Sequence, residues 1–491
     1  MSMYLLAIDQ GTTGTTCLLV AKDQRVVARS YQEFAQVYPQ PGWVEHDPES
    51  IWESVLSSIA ELVACEPERC KDIAAIGITN QRETTVVWSR KTGKPLYNAI
   101  VWQCRRTADF CQQLKSRDLG DLFRRKTGLL LDPYFSGTKV RWIIDHCQVR
   151  AEAEAGELAF GTIDSFLINR LTGGAVHATD VSNASRTLMM DLESGQWDEQ
   201  CLSELGVPAA MLPEIRSSDA FFGRIQSIPG LSDGIPIHGV LGDQQAALFG
   251  QACFAPGQAK CTYGTGAFLL MNVGEEPVHS ERGLLATPAW KLGDTTTYAL
   301  EGATFIAGAA VQWLRDGLGL IESAAEVEAL AETVSDAGGV MFVPALSGLG
   351  APHWRPDARG AFFGLSRGSG RGHIARAVLD GVALQIVDLL HAMADDSGRS
   401  IDALRVDGGA AANDLLMQTQ ADLLGVGVDR PPMLEATGLG AALVAGLGSG
   451  VYSSLEDLRQ KWSLERRFEP LRDEVWRGER MSAWARAVER C

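Results

Sequence analysis

Residues 4–21 read YLLAIDQGTTGTTCLLVA: an apolar run that ends at Asp9, a turn of glycine and threonine, and a second apolar run that starts at Cys17. Two short apolar runs joined by a polar turn that contains glycine are typical of an antiparallel β-hairpin. A third apolar run, residues 26–28, follows a charged turn and predicts a third antiparallel strand. The chain therefore begins with a meander whose first strand brings a carboxylate to a glycine-rich turn.

A helix and a buried strand follow the meander. Asp47 is a suitable N-cap, Pro48 suits the first helical position, and apolar residues recur at helical spacing over residues 51–63. Residues 73–78, which read IAAIGI, have the composition of a strand that is buried on both faces. Strands that alternate with helices predict an α/β domain.

The same design recurs in the second half of the chain. Residues 236–243 form a strand pattern that ends in Asp243, and residues 259–271 form a second hairpin pattern around the turn Gly264-Thr265-Gly266. The two glycine–threonine turns are about half a chain length apart, which indicates an internal duplication.

Length and composition agree with a folded protein of more than one domain. The chain has 491 residues, of which 46% are hydrophobic and 21% are charged, so it contains enough apolar residues for large cores. We therefore predict an α/β protein of two domains, residues 1–250 and residues 251–491, that meet at a hinge near residues 250–257.

The charge and the cysteine pattern exclude several classes of function. A net charge of −17 disfavours nucleic acid and anionic membranes as partners, because a negative field repels phosphate surfaces. Ten cysteines without a Cys-x-x-Cys pair, and eight dispersed histidines, predict neither a disulfide framework nor a structural transition metal. The N-terminus lacks the basic region of a signal peptide, and the apolar stretch 438–451 is interrupted by glycines, which is typical of a closely packed helix. We expect a cytoplasmic protein without membrane insertion.

Three glycine-containing loops are predicted to bind the phosphates of a nucleotide. The turn after Asp9 lies between antiparallel strands and is not a Walker loop, but its glycines allow close backbone approach and its threonines can donate hydrogen bonds. A plain hairpin turn is the alternative for this loop alone. The similar turn at 264–266, and Asp407-Gly408-Gly409-Ala410 before a predicted helix, favour ATP. Asp9 can hold Mg²⁺ through water.

Polar residues that follow two buried strands are candidates for binding and activating an alcohol. Asn80-Gln81-Arg82-Glu83 supplies a cation and a carboxylate that can hydrogen-bond hydroxyl groups, although a solvated Arg82–Glu83 pair is an alternative. Asp243 ends the other strand, where a carboxylate can accept the proton of an attacking hydroxyl group. The alternative role of Asp243 is that of a helix N-cap.

One competing motif indicates a hydrolase. Gly364-Leu365-Ser366-Arg367-Gly368 matches the Gly-x-Ser-x-Gly nucleophile elbow and precedes a predicted helix. Only His373 and His391 follow Ser366 in the sequence. Both lie on that adjoining helix, which cannot easily present a base to its own start. A hydrolase is therefore disfavoured.

These stretches resemble the FGGY family of carbohydrate kinases, and the resemblance covers nearly the whole chain. The matching stretches are residues 9–13 (DQGTT), 38–48 (YPQPGWVEHDP), 77–84 (GITNQRET), 97–107 (YNAIVWQCRRT), 132–139 (DPYFSGTK), 242–250 (GDQQAALFG) and 407–413 (DGGAAAN). The resemblance implies two actin-like (ribonuclease H-like) domains that flank a catalytic cleft. It also implies that the protein phosphorylates glycerol, with ATP and Mg²⁺ as cofactors.

The resemblance further implies roles for individual residues. The acceptor would be bound by Arg82, Glu83, Trp102, Tyr134, Asp243, Gln244 and Phe268. The nucleotide would be bound by Thr12, Thr13, Gly14, Thr265, Gly308, Gln312, Gly409 and Asn413. Asp243 would act as general base, and Asp9 and Asp243 would be the metal ligands. Because relatives are commonly dimers or tetramers, a homo-oligomer is expected.

Two other functions stay open at this point. The first is a kinase of the same family that acts on another polyol or on a ketopentose. The second is a non-catalytic actin-like clamp that binds ATP, which would keep the phosphate loops without needing Arg82, Glu83, Trp102 and Asp243 together.

Overall fold

A computed structural model of the chain describes residues 3–491. Met1 and Ser2, the start of the N-terminal segment discussed above, lie outside the described residues. The strands of the first half are β1 (Tyr4–Gln10), β2 (Gly14–Ala21), β3 (Val26–Glu33), β4 (Glu45–His46), β5 (Ile73–Asn80), β6 (Val86–Ser89), β7 (Ala99–Ile100), β8 (Leu158–Gly161), β9 (Ala178–Asp180), β10 (Glu214–Arg216), β11 (Phe221–Arg224) and β12 (Pro236–Gly242). Its helices are α1 (Pro48–Cys65), α2 (Pro67–Cys70), α3 (Ala108–Ser116), α4 (Gly120–Thr127), α5 (Ser136–Cys147), α6 (Arg150–Glu154), α7 (Ile163–Leu171), α8 (Val181–Ala184), α9 (Glu199–Leu205) and α10 (Asp243–Gly250).

The second half continues the same alternation of strands and helices. Its strands are β13 (Ala259–Tyr263), β14 (Ala267–Gly274), β15 (Leu285–Leu292), β16 (Thr295–Thr304), β17 (Met341–Val343), β18 (Ala361–Phe363), β19 (Ala403–Asp407), β20 (Gly427–Arg430) and β21 (Arg466–Phe468). Its helices are α11 (Gly308–Asp316), α12 (Glu326–Ala331), α13 (Arg371–Ser397), α14 (Asp414–Leu424), α15 (Ala436–Gly448), α16 (Leu455–Lys461) and α17 (Glu474–Glu489).

The predicted meander is present and belongs to a six-stranded sheet with the order β11-β12-β5-β1-β2-β3. β1 is antiparallel to β2, and their pairing ends at Gln10 and Thr15, where the glycine–threonine turn begins. On its other side β1 is parallel to β5, which in turn is parallel to β12. The carboxyl ends of β1, β5 and β12 therefore lie side by side at one edge of the sheet.

The second sheet repeats this arrangement. Its order is β15-β16-β14-β13-β19-β20-β21, in which β13 is antiparallel to β14 and parallel to β19. β13 thus corresponds to β1, β14 to β2, and β19 to β5, while β15 is an additional strand at the edge. This correspondence agrees with the internal duplication that the two glycine–threonine turns indicate.

α1 begins where the local sequence predicts. Pro48 lies in the first turn, and Asp47 Oδ1 accepts a hydrogen bond of 3.0 Å from the backbone N–H of Glu49, which satisfies one of the free amides at the helix start. The buried face of the helix, which includes Ile51 and Val55, packs against β2 and β3. Helical periodicity and capping together were enough to locate this element.

The glycine-rich stretch predicted to be a packing helix is α15, which covers the first sheet although it comes late in the chain. It lies against β1, β5 and β12 and crosses α10 closely. A Cβ atom added to Gly440 would fall inside the van der Waals radius of the backbone carbonyl of Ala246 in α10. Only glycine allows the two helix backbones to approach this closely.

We expect Gly440→Ala to lower the free energy of unfolding by about 3 kcal/mol, because the added methyl group meets rigid backbone and must push α15 away from α10. Urea denaturation followed by circular dichroism measures the change. Gly478→Ala in α17 is the matched control, since a Cβ at Gly478 meets no atom within 4 Å. That exposed substitution is expected to be neutral or to stabilise the protein by up to about 1 kcal/mol. Equal effects of both substitutions would contradict the close crossing.

The longest helix, α13, is the core of the second half. It extends the predicted range of residues 373–393 at both ends and packs against β14, β16 and β17. It is the one helix of the described chain that is long and apolar enough to cross a membrane, but 83% of its most apolar 18-residue stretch is buried inside the protein. Its apolar residues are accounted for by this packing.

Candidate active site

Three predicted site segments meet at one edge of the first sheet. Asp9 lies near the end of β1, the segment Asn80-Gln81-Arg82-Glu83 lies at and after the end of β5, and Asp243 directly follows β12. Since β12, β5 and β1 are neighbours, the topology brings these side chains together. The carboxyl edge of parallel strands is where α/β proteins bind their ligands.

Arg82 and Glu83 are buried in a strained turn. Both have positive φ angles, 51° and 35°, which non-glycine residues rarely adopt. The backbone carbonyl of Glu83 accepts hydrogen bonds from Ser136 Oγ at 2.9 Å and from Lys139 Nζ at 3.2 Å, which helps to hold this conformation. The side chains of Arg82 and Glu83 are 2% and 1% exposed, so the alternative of a solvated surface pair is wrong.

A buried network of ion pairs fixes these two side chains. Arg82 donates to both carboxylate oxygens of Glu301, at 2.5 and 3.0 Å. Arg186 donates from Nε to Glu83 at 2.7 Å and from Nη2 to Glu301 at 3.0 Å. Glu301 comes from β16 of the second half, whereas the other three residues come from the first half. The network therefore connects the two halves of the protein at the site.

The network affects its two carboxylates differently, since it stabilises the ionised form of Glu301 but not that of Glu83. Burial alone would raise the pKa of Glu301, but the guanidinium groups of Arg186 and Arg82 lower it to about 2. For Glu83 burial dominates, and it raises the pKa despite the two arginines. Neither Arg186 nor Glu301 was predicted from the sequence. Glu301 could have been noticed as the one acidic residue in the apolar part of β16, because a carboxylate inside a buried strand needs a partner.

Asp243 is more accessible than the four charged side chains of the buried network. It is the first residue of α10, with its side chain 28% exposed, and the N-cap of that helix is Gly242, so the alternative N-cap role for Asp243 is wrong. Its Oδ1 lies 3.0 Å from Arg82 Nε and accepts a hydrogen bond of 2.7 Å from the backbone N–H of Gln244. The adjacent Gln244 is buried, and its Oε1 accepts a hydrogen bond from Lys260.

Aromatic side chains lie beside these predicted acceptor-binding residues. The rings of Trp102 and Tyr134 are 5.6 Å apart and nearly perpendicular, and Trp102 Nε1 donates to Thr12 Oγ1 at 3.0 Å. Trp102 thus connects the predicted acceptor site with the first phosphate loop. Phe268 lies half-buried in β14, and within the described residues no ring–ring contact joins it to Trp102 or Tyr134.

The first predicted phosphate loop is a tight turn closed by a backbone hydrogen bond of 2.9 Å from Gly11 N to Gly14 O. Thr13 is exposed at its tip and Thr12 is half-buried. A Cβ atom at Gly14 would clash with Tyr31 and with the backbone of Gln32 on β3, so this glycine is also required by packing.

The remaining predicted nucleotide residues lie around the second hairpin. The carbonyl of Thr265 accepts hydrogen bonds from the backbone N–H groups of Ala307 and Ala309, which attaches the start of α11, with Gly308, to this turn. Gln312 lies exposed one turn further along α11. Gly409 begins the short 3₁₀ helix after β19, with open space beside its Cα.

Asn413 is the N-cap of α14, where its Oδ1 accepts a hydrogen bond of 2.7 Å from the backbone N–H of Leu416. Its side chain is half-buried in this position. The cap occupies the acceptor oxygen, and in residues 3–491 no side-chain hydrogen bond uses Asn413 Nδ2, which can donate to a ligand.

Asp9 lies among carboxylates in a way that suits a cation. Burial, followed by the negative charges of Asp243 and Glu435, raises the pKa of Asp9 to about 8, while Arg29 opposes this shift. In residues 3–491 no group of three or more His, Cys, Asp or Glu side chains is arranged to hold a metal ion. Mg²⁺ with a nucleotide uses one or two carboxylates, water and phosphate oxygens, so Asp9 with Asp243 fits such an ion.

Within residues 3–491, Ser366 of the competing Gly-x-Ser-x-Gly motif has no hydrogen bond to a base. It lies in an exposed loop, where its Oγ is near Ser369 Oγ and accepts a hydrogen bond from the backbone N–H of Gly368. His373 instead accepts a hydrogen bond from the backbone of Gly370. Within the described part of the chain no histidine is hydrogen-bonded to Ser366, which argues against a hydrolase.

Comparison with known proteins agrees with this geometry. Residues 4–250 match the N-terminal domain, and residues 259–449 the C-terminal domain, of the FGGY family of carbohydrate kinases. The chain is 58% identical over 490 residues to the glycerol kinase of Myxococcus xanthus, with 99% of each chain covered. It is 53% identical over 494 residues to the glycerol kinase of Bdellovibrio bacteriovorus, with 100% of this chain and 99% of the relative covered.

Solved structures confirm the predicted fold class of two actin-like α/β domains. The crystal structure of Plasmodium falciparum glycerol kinase with ADP matches with a TM-score of 0.94 and 37% identity, over 100% of this chain and 98% of the other. Xylulose kinase from Lactobacillus acidophilus matches with a TM-score of 0.89 and 22% identity, over 99% and 97% of the two chains. The second match is informative about the fold alone.

Proposed function

The chain belongs to the FGGY family of carbohydrate kinases, and we propose that it transfers the γ-phosphoryl group of ATP to a terminal hydroxyl group of glycerol. The products are sn-glycerol 3-phosphate and ADP, which makes this the entry step of glycerol catabolism. One observation carries the proposal: Arg82, Glu83 and Asp243 form a largely buried polar set at the sheet edge where the first phosphate loop begins. The full-length relatives at 53–58% identity support the same activity.

Glycerol suits this set by its chemistry. It has three hydroxyl groups and little apolar surface, so a site must recognise it by hydrogen bonds beneath aromatic side chains. Arg82 can only donate hydrogen bonds, whereas the carboxylates of Glu83 and Asp243 accept them. Trp102 and Tyr134 supply the aromatic surface, to which Phe268 would be added by a movement of the second half. A larger sugar would need more space and more polar partners.

Asp243 is the proposed general base. It would accept the proton of the hydroxyl group that attacks the γ-phosphorus, while Arg82 Nε and the backbone N–H of Gln244 hold the carboxylate in place. Asp9 and Asp243 are the proposed ligands of Mg²⁺, which when bound supplies positive charge to the phosphate oxygens.

The two hairpin turns are proposed to bind the phosphates of ATP. Thr12, Thr13 and Gly14 on one side, and Thr265 on the other, would donate hydroxyl and backbone N–H hydrogen bonds to them. The remaining nucleotide contacts are assigned to Gly308, Gln312, Gly409 and Asn413. A cytoplasmic location and a homo-oligomeric state, dimer or tetramer, belong to the same proposal and rest on the family resemblance.

A coupled ADP-release assay with glycerol, xylulose, ribulose and erythritol tests the proposed function. We expect glycerol to give at least about a hundredfold higher kcat/KM than the other acceptors, since a site built for specific hydrogen bonds rejects ligands that leave its polar groups unpaired. Ser366→Ala serves as control and should retain full activity. Faster turnover with a ketopentose would reassign the substrate. Binding of glycerol without product would indicate the non-catalytic clamp.

A further inference from the structure

Lys260 is a buried lysine of β13 for which the proposed reaction has no role. Its side chain is fully buried, and its Nζ donates to Gln244 Oε1 at 2.6 Å and to Thr262 Oγ1 at 2.8 Å. Among residues 3–491, none of the ion pairs within 4.0 Å includes Lys260. A buried cation that has only neutral hydrogen-bond partners is costly, so it calls for a functional or structural reason. Burial accordingly lowers the pKa of Lys260, while the negative charge of Asp407 opposes this shift.

The lysine determines which way the amide of Gln244 faces. An ammonium group only donates hydrogen bonds, so the atom of Gln244 that faces Lys260 must be the carbonyl oxygen, and the amide nitrogen must face the other way. No acceptor in the described part of the chain is hydrogen-bonded to Gln244 Nε2, although the residue is only 6% exposed. Two N–H donors are therefore available next to Asp243.

The proposed glycerol site needs hydrogen-bond donors beside Asp243. Glu83 and Asp243 are both carboxylates, and each would accept a hydrogen bond from a hydroxyl group of a bound alcohol. The oxygen lone pairs of the same alcohol then require donors, of which Arg82 is one. A Gln244 side chain in the opposite orientation would add a third acceptor and leave those lone pairs unpaired.

We propose that Lys260 is a positioning residue that orients the amide of Gln244 so that its N–H groups are presented to the phosphate-accepting alcohol. This inference rests on the proposed function, since it assigns a partner to one of the residues that bind the acceptor. Lys260 belongs to β13 in the second half of the chain, so the proposal gives that half a part in the recognition of glycerol. β13 also leads directly into the turn at residues 264–266, the second proposed phosphate loop.

A double-mutant cycle with the full-length chain tests the proposal. Lys260→Met, Gln244→Ala and the double variant are compared by steady-state kinetics with glycerol and ATP varied separately. Each single substitution should raise KM for glycerol about 3- to 10-fold, the value of one neutral hydrogen bond, and leave KM for ATP within about twofold. In the Gln244→Ala background, Lys260→Met should have no further effect on KM for glycerol. If Lys260→Met does not fold, Lys260→Gln replaces it, because a glutamine does not dictate the orientation of a neighbouring amide.

The outcomes separate the inference from the function on which it rests. Equal fold-changes for Lys260→Met in both backgrounds would show that the lysine does not act through Gln244. A fall in kcat with an unchanged KM for glycerol would likewise overturn the positioning role. A wild-type protein that forms no product from glycerol would instead contradict the proposed function.

Discussion

Asp243→Asn is expected to lower kcat about 10³-fold, because the amide cannot accept the proton of the attacking hydroxyl group and general base catalysis contributes about 10²- to 10⁴-fold. Asparagine has the same shape as aspartate, and its Oδ1 can still accept the hydrogen bond that the backbone N–H of Gln244 now donates to Asp243, while Arg82 Nε lies 3.0 Å away. The substitution therefore removes the base and keeps the local structure. A coupled ADP-release assay at saturating glycerol and ATP measures the loss.

Nucleotide binding separates this role from a general disruption of the site. Calorimetric titration with ATP in the absence of Mg²⁺ should give a Kd within about threefold of the wild-type value, since the loops proposed to bind the phosphates are unchanged. Asp316→Asn is the control for the loss of one negative charge, because Asp316 is paired with Arg315 on the surface. Near-normal turnover of Asp243→Asn would remove the assignment of the base.

Local sequence signals account for the parts of the fold that were predicted. The hairpin of β1 and β2, the start of α1 at Pro48 and the small-residue composition of α15 can each be read from residues that are near in sequence, although the partners of α15 cannot. The alignment of Asp9, Arg82 and Asp243 was also accessible, because strand ends can be located from apolar runs and parallel strands share a carboxyl edge.

The buried ion network could not be predicted in the same way. Arg82 and Glu301 are 219 residues apart in sequence, and their contact depends on how β15 and β16 dock on the first half. Arg186 lies in a short 3₁₀ turn after α8 and has no periodic pattern around it. Lys260, by contrast, was within a recognised strand, but its partner Gln244 depends on the packing of α10. The residues that were missed therefore support the site from other elements of the fold.

Glu301→Ala is expected to lower the free energy of unfolding by about 3–5 kcal/mol, the usual cost of removing one partner from a buried ion pair. The substitution leaves Arg82 and Arg186 as neighbouring buried cations, with Glu83 as the one remaining carboxylate of the network. Arg82 also loses both of its hydrogen bonds to Glu301, so KM for glycerol should rise at the same time. Urea denaturation and steady-state kinetics measure the two effects.

The pH dependence of this effect distinguishes charge from packing. Because the network lowers the pKa of Glu301 from 4.5 to about 2, its contribution is complete above the unfolded pKa and is lost as pH falls toward 2. The difference in stability between wild type and Glu301→Ala should therefore be constant from about pH 6 to pH 8 and become smaller below about pH 4. Glu456→Ala, which removes a surface pair with Arg459, should change stability by less than about 0.5 kcal/mol at any pH. If Glu301→Ala lowers the free energy of unfolding no more than Glu456→Ala does, the network does not hold the two halves together. An effect that is large but equal at about pH 3 and pH 7 would assign it to packing of the side chain and not to its charge.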